Sequence, residues 1–234
     1  MIFHRDGGEL VVTTQPDHAF FSGELAALWR ADGLPANPRR AEILFAAREH
    51  DNGWRGPDAA PRVDPATGRP YGFHQIPRPL RFEIWQAGID RFADQHPYAS
   101  LLIAHHAAEL HQDQRGDTEW SDFFEDLDER IEDLTERSAA TAETLAADYR
   151  FVELADLLSL AACSAWDQEI ERSGLRFRVD GDTLRIAPLP LAGATTFRVR
   201  CRCVADRQYA SDADFAIALA EARWLDRDLR VREL

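Results

Sequence analysis

Residues 151–166, FVELADLLSLAACSAW, are the most apolar stretch of a chain of 234 residues. Rich in Leu and Ala and free of Pro and Gly, the run reads as a helix, and one so apolar belongs at the centre of the molecule. One residue contradicts its surroundings. Asp156 sits among Leu154, Ala155, Leu157 and Leu158. An ionised carboxylate buried alone costs several kcal/mol or takes up a proton. Asp156 therefore needs an arginine, backbone or hydroxyl donors, a histidine or a metal ion facing it. Lysine is excluded, because all 27 basic residues are arginine.

Beyond Gly174 the period shortens to two. LRFRVDGDTLRIAPL (175–189) reads as a hairpin around its DGD turn, and TTFRVRCRCV (195–204) alternates as a strand. SDADFAIALAEARW (211–224) opens with Ser followed three residues later by Asp, which suits a helix start. At the other end MIFH and ELVVTT flank an RDGG turn, a second hairpin.

Between these ends the pattern is helical. Helices are expected over 15–31, over 38–50 with Pro38 in the first turn, and near 81–95 and 98–112. A long acidic amphipathic helix is expected over 119–149, with Trp120, Phe123, Phe124, Leu127, Ile131 and Leu134 on one stripe. Residues 55–80 read as a Pro- and Gly-rich loop, and loops of that length are more often functional than idle. The expectation is a mainly α single domain over 1–234. Its helical body would span about 15–173, with a small antiparallel sheet from residues 1–14 and 175–234.

Composition narrows the function. With 45% hydrophobic and 29% charged residues the chain is globular. A net charge of −14 argues against nucleic acid as a partner. No membrane-length apolar run or signal-like start is visible, so a cytoplasmic location without membrane contact is expected. The absence of lysine excludes Schiff-base and phosphate-loop chemistry and leaves arginine to clamp anions. Residues 39–81 hold eight Arg against five acids, with Arg55, Arg62, Arg69 and Arg78 in the long loop. Residues 109–136 hold twelve acids against two Arg and read as a solvated face. Cys163, Cys201 and Cys203 form no disulfide framework, and two strand thiols do not close a zinc site.

The chemistry-bearing residues fall on different helices: His18, then His50–Asp51 inside EHDNGW (49–54), then His105 and His106, then Asp156. Taken singly, each also suits a helix cap, a surface position or a satisfied core polar group. Taken together, the order His, His-Asp, Asp resembles the HD-domain superfamily of metal-dependent phosphohydrolases, at His18, His50–Asp51 and Asp156. The stretches QPDHAFFSGELAALW, EHDNGW, PRVDPATGRP, YASLLIAHHAAEL, ADLLSLAAC and DRQYASDADF are similar to an uncharacterised bacterial family, domain of unknown function 3891.

The superfamily resemblance implies an HD-domain-like helical bundle and a site of N and O ligands for one or two Mn, Fe, Co, Ni or Zn ions. His18, His50, Asp51 and Asp156 would hold the first ion, with Asp51 bridging to any second. His106 or its neighbour His105, with His74, would complete a second shell, and His106 could instead stabilise developing charge. Glu49 would orient a ligand imidazole, while Trp54 and Arg55 would meet substrate. The expected function is an HD-type metal-dependent hydrolase of a small phosphorylated or anionic metabolite. Two alternatives stand beside it: a dinuclear iron oxygenase on the same scaffold, and a non-catalytic binding or regulatory protein. A homodimer is left open.

Overall fold

The computed structural model describes residues Met1–Leu234. Seven strands, β1 (Ile2–Asp6), β2 (Glu9–Thr13), β3 (Ile170–Arg172), β4 (Leu175–Asp180), β5 (Thr183–Ala187), β6 (Thr195–Ala205) and β7 (Trp224–Glu233), join in a single sheet. Their order is β1-β2-β6-β7-β5-β4-β3. Every neighbouring pair is antiparallel except β5 and β7, which run parallel.

This corrects the expected helical bundle of HD-domain type with a small antiparallel sheet. The sheet is large and mixed, and two strands account for the difference. β6 pairs with β2 through Val11 and Cys203 on one side and with β7 through Phe197 and Leu229 on the other. The terminal hairpins are thereby fused. β7, with the sequence WLDRDLRVRE, buries only Leu229 and Val231, too faint an alternation to announce a central strand.

Eight helices accompany the sheet: α1 (Gln15–Leu28), α2 (Arg40–Glu49), α3 (Arg55–Ala59), α4 (Arg78–Asp90), α5 (Pro97–Leu110), α6 (Ser121–Ser138), α7 (Ala142–Ser164) and α8 (Asp212–Glu221). Thr14 and Ser211 cap α1 and α8 by accepting from the amides of Asp17 and Asp214. The helix expected over 119–149 divides in two. Ala139 adopts φ 49°, and Thr141 and Thr144 then exchange side-chain and backbone hydrogen bonds as a capping box that starts α7. The 55–80 stretch holds α3, a 3-10 turn at Phe73–Gln75 and a bridge between Val63 and Pro70.

Residues 151–164 of the apolar run are the C-terminal two-thirds of α7. It packs on α1, α2 and α5 and on strands β1, β4 and β5. Val152, Leu154 and Leu158 share a core with Phe177, Ile186, Phe197 and Val231 of the sheet. α8 covers a second, smaller core of Leu10, Val12, Val204 and Phe215. No helix is long and apolar enough to cross a membrane.

Candidate metal centre

The site begins where α2 stops. His50, with backbone angles still helical, caps its C-terminus, and Asp51 (φ −104°, ψ 20°) leads into a 3-10 turn at Asn52–Trp54. Asn52 fixes that break: its side-chain amide donates to Glu49 O (2.8 Å) and Gly88 O (2.9 Å) and accepts from Arg91 Nε (2.7 Å). Gly53 lies so close to α4 that a Cβ would stand 2.0 Å from Ile84 O. The Asn-Gly pair is thus a docking requirement that aims His50 and Asp51 inward together.

Both histidines are fixed by their outer nitrogens. His50 Nδ1–H donates to Ala47 O at 2.9 Å. Ser159 Oγ donates to Asp156 O (2.9 Å) and so accepts from His18 Nδ1–H (2.8 Å). Each ring consequently turns its Nε2 to the same place, and these atoms are 3.2 Å apart. Asp156 Oδ1 is 3.1 Å from both. Asp51 Oδ2 is 3.3 Å from His18 Nε2 and 3.5 Å from His50 Nε2. All four side chains are buried. Ligands at ~2.1 Å from an ion lie ~3.0 Å apart in an octahedral shell and ~3.4 Å apart in a tetrahedral one. The observed spacings match, and the residues present fit a divalent ion.

Two overlapping donor sets share His50: His18, His50 and Asp51, and His50, His106 and Asp156, with ligand atoms within 4.8 Å of one another in each. Asp156 joins them, since its Oδ2 lies 3.5 Å from His106 Nε2. Over residues 1–206 the chain matches the family described as "Protein of unknown function (DUF3891)". The chain belongs to this family. No curated protein and no solved structure gives a significant match. The matched DUF3891 span contains every donor residue just described.

Electrostatics set the histidines apart. Burial opposes protonation of His50, but Asp51 and Asp156 outweigh it and push its pKa up to about 9. His18 is raised in the same way, against burial, by its bonds to Asp156 and Asp51. Burial would raise Asp156, yet His50, His18 and His106 hold it well below the usual carboxylate range. His106 goes the other way: burial pushes it down to about 4 despite Asp156, so it is neutral.

Of the adjacent pair, His106 joins the cluster and His105 does not. The His105 ring packs on Tyr149, with centroids 4.6 Å apart, and faces Glu109. His74 is exposed on its 3-10 turn and lines a separate groove of about 630 Å³ with His4 and Trp166. Glu49 orients no imidazole, because its carboxylate pairs with Arg55 at 2.7 Å; Ala47 O and Ser159 do that work. Arg55 borders another cavity, beside Arg202 and Trp224. Arg69 and Arg78 are paired with Asp206 and Glu119.

Trp54 lines the cavity at the cluster, which measures about 210 Å³. Sequence reasoning missed six neighbours: Gln15, Arg81, Trp85, His111, Tyr149 and Ser159. His111 accepts from Trp85 Nε1–H at 3.0 Å, and burial and Arg81 push its pKa down to about 4. Tyr149 Oη is 3.1 Å from His106 Nδ1. A signal for some existed, because Gln15 and Ser159 each lie three residues from a ligand on its own helix.

Proposed function

We propose that the chain is an HD-type metal-dependent hydrolase acting on a small phosphorylated or otherwise anionic metabolite. The observation that carries this reading is the placement of two carboxylates, Asp51 and Asp156, each within 3.1–3.5 Å of two imidazole Nε2 atoms that are themselves 3.2 Å apart, the Nδ1 atoms being held from outside. The order of these ligands along the chain is that of the HD superfamily.

His18, His50, Asp51 and Asp156 would hold one divalent ion of the Mn, Fe, Co, Ni or Zn group. Such an ion lowers the pKa of water and polarises the scissile group. Ser159 and Ala47 hold the Nδ1–H of the two imidazoles, so Nε2 of each ring is the atom that an ion would take up in exchange for a proton. His106 is neutral and, with Tyr149 Oη–H donating to its Nδ1, turns Nε2–H toward Asp156 Oδ2 and the cavity. That donor suits charge developing on a leaving or transferred group. Trp54 and Trp85 form apolar walls of the same cavity.

The dinuclear oxygenase alternative needs a second ion with both His106 and His74 as ligands. The exposed position of His74 on another groove weighs against it. A non-catalytic scaffold would not need its ligand atoms to converge.

Metal content by mass spectrometry on untagged protein, beside an Asp51→Ala control, tests the reading. Near-stoichiometric metal that is lost in the control is the expected result. No metal after each ion has been added back would overturn it.

A further inference from the structure

Two side chains that the hydrolysis above does not use are turned to the same cavity. Gln15 lies three residues before His18 on α1; it is 3% exposed, and its Oε1 has no hydrogen-bond partner. A buried amide oxygen without a partner is costly, and native proteins keep few of them. Arg81 lies four residues before Trp85 on α4, and both line the cavity. Its one acceptor is a backbone oxygen, His74 O at 3.1 Å. Arg55, Arg69 and Arg78 are each paired with a carboxylate, whereas Arg81 is not. In a chain with 41 acids against 27 arginines, a half-buried arginine at a cavity with no acid paired to it has its charge open to an anion from outside.

Apart from His111, whose Nε2 is taken by Trp85 Nε1–H, the remaining walls are apolar: Trp54, Phe73, Trp85, Leu110 and Leu160. At about 210 Å³ the cavity falls below the ~300 Å³ at which sites for drug-sized ligands begin. A nucleotide would bring a ribose and base whose polar edges find few partners on these walls. A phosphomonoester has three non-bridging oxygens, enough to meet an ion and a guanidinium together.

We infer that the pocket takes a compact organic phosphomonoester with an apolar, ring-sized body, its charge paired by Arg81 and a donor hydroxyl or water received by Gln15. The inference rests on the hydrolase reading. Hydrolysis adds water across the ester P–O bond and releases inorganic phosphate and the alcohol. Gln15 and Arg81 hold substrate and are not ion ligands, so changing them spares the metal.

The test is calorimetric titration of manganese-loaded protein with phenylphosphonate, inorganic phosphate and AMP. Phenylphosphonate should bind about tenfold tighter than either of the others. Arg81→Met and Arg81→Gln should each weaken it about ten- to a hundredfold, and Gln15→Ala about three- to tenfold, with manganese content unchanged throughout. AMP binding as tightly as phenylphosphonate, or both Arg81 variants binding it as the wild type does, overturns the substrate assignment and leaves the metal centre standing. Failure to load manganese or any other divalent ion removes the hydrolase reading, and the inference with it.

Discussion

His18 and His50 meet Nε2 to Nε2 at 3.2 Å, each with its other ring nitrogen committed, to Ser159 and to Ala47 O. Two lone pairs so placed in a buried, low-dielectric site repel unless a cation joins them. Asp51 and Asp156 strengthen the demand for positive charge at that point. Protons supply it in the metal-free protein. A divalent ion would supply more of it and displace them.

That competition has a sign. In the metal-free protein His50 has a pKa of about 9, and His18 is also raised, against an ordinary value of 6.5. The native state thus holds extra protons between about pH 6.5 and 9. Their stabilising contribution is complete below pH 6.5 and is lost as pH rises through 9. Thermal unfolding of metal-free protein should show Tm falling across that window. Manganese uptake at pH 7.5 should release protons, read by calorimetry in two buffers of different ionisation enthalpy, and affinity should rise toward pH 9. Buffer-independent heats would contradict this.

Ser159→Ala removes the acceptor that holds His18 Nδ1–H. The ring is then free to turn or change tautomer, and metal affinity should fall about ten- to a hundredfold. Chelator competition measures it. Glu49→Gln, which breaks only the pair with Arg55, should leave affinity within about twofold, because exposed ion pairs contribute little.

Replacing Asp156 by Asn keeps the shape but removes the charge shared by His18, His50 and His106. Metal binding should be lost, and the pKa of His50 should drop toward or below 6.5, because burial then acts with less opposition. Histidine NMR titration distinguishes this outcome from a merely unfolded variant.

Gly53→Ala tests the docking of the Asn-Gly turn on α4. The added Cβ would meet Ile84 O, a backbone atom of a packed helix, at 2.0 Å. The helices must separate, so a loss of about 3 kcal/mol is expected from overpacking, seen in denaturant melts. Metal affinity should fall in parallel, since His50 and Asp51 move with the turn.

The candidate ligands legible in the sequence were those whose chemistry clashed with their neighbours. Asp156 among leucines and an imidazole beside a carboxylate at a helix end are local anomalies, visible without a fold. The choice of His106 over His105 depended on the phase of α5, which a helix boundary in error by one residue would reverse. Arg81 went unseen because nothing in RPLRFEIW distinguishes one arginine from another until its lack of an acidic partner is known. β7 was hidden for a different reason. A strand inside a sheet with one wet face needs few apolar residues, and Leu229 and Val231 suffice between two paired neighbours.

β7 also determines when the molecule can be finished during synthesis. It follows the other six strands of this sheet along the chain, yet it lies between β6 and β5. The matched family span ends at residue 206, just past β6. A chain emerged only that far already carries every proposed ion ligand from His18 to Asp156. Its strands, however, stand as two separate groups, β1-β2-β6 and β5-β4-β3, each with an open edge. The candidate metal centre is then translated before the sheet can close. For that interval the nascent protein exposes two sticky ribbons, the stage at which a holding chaperone would matter most.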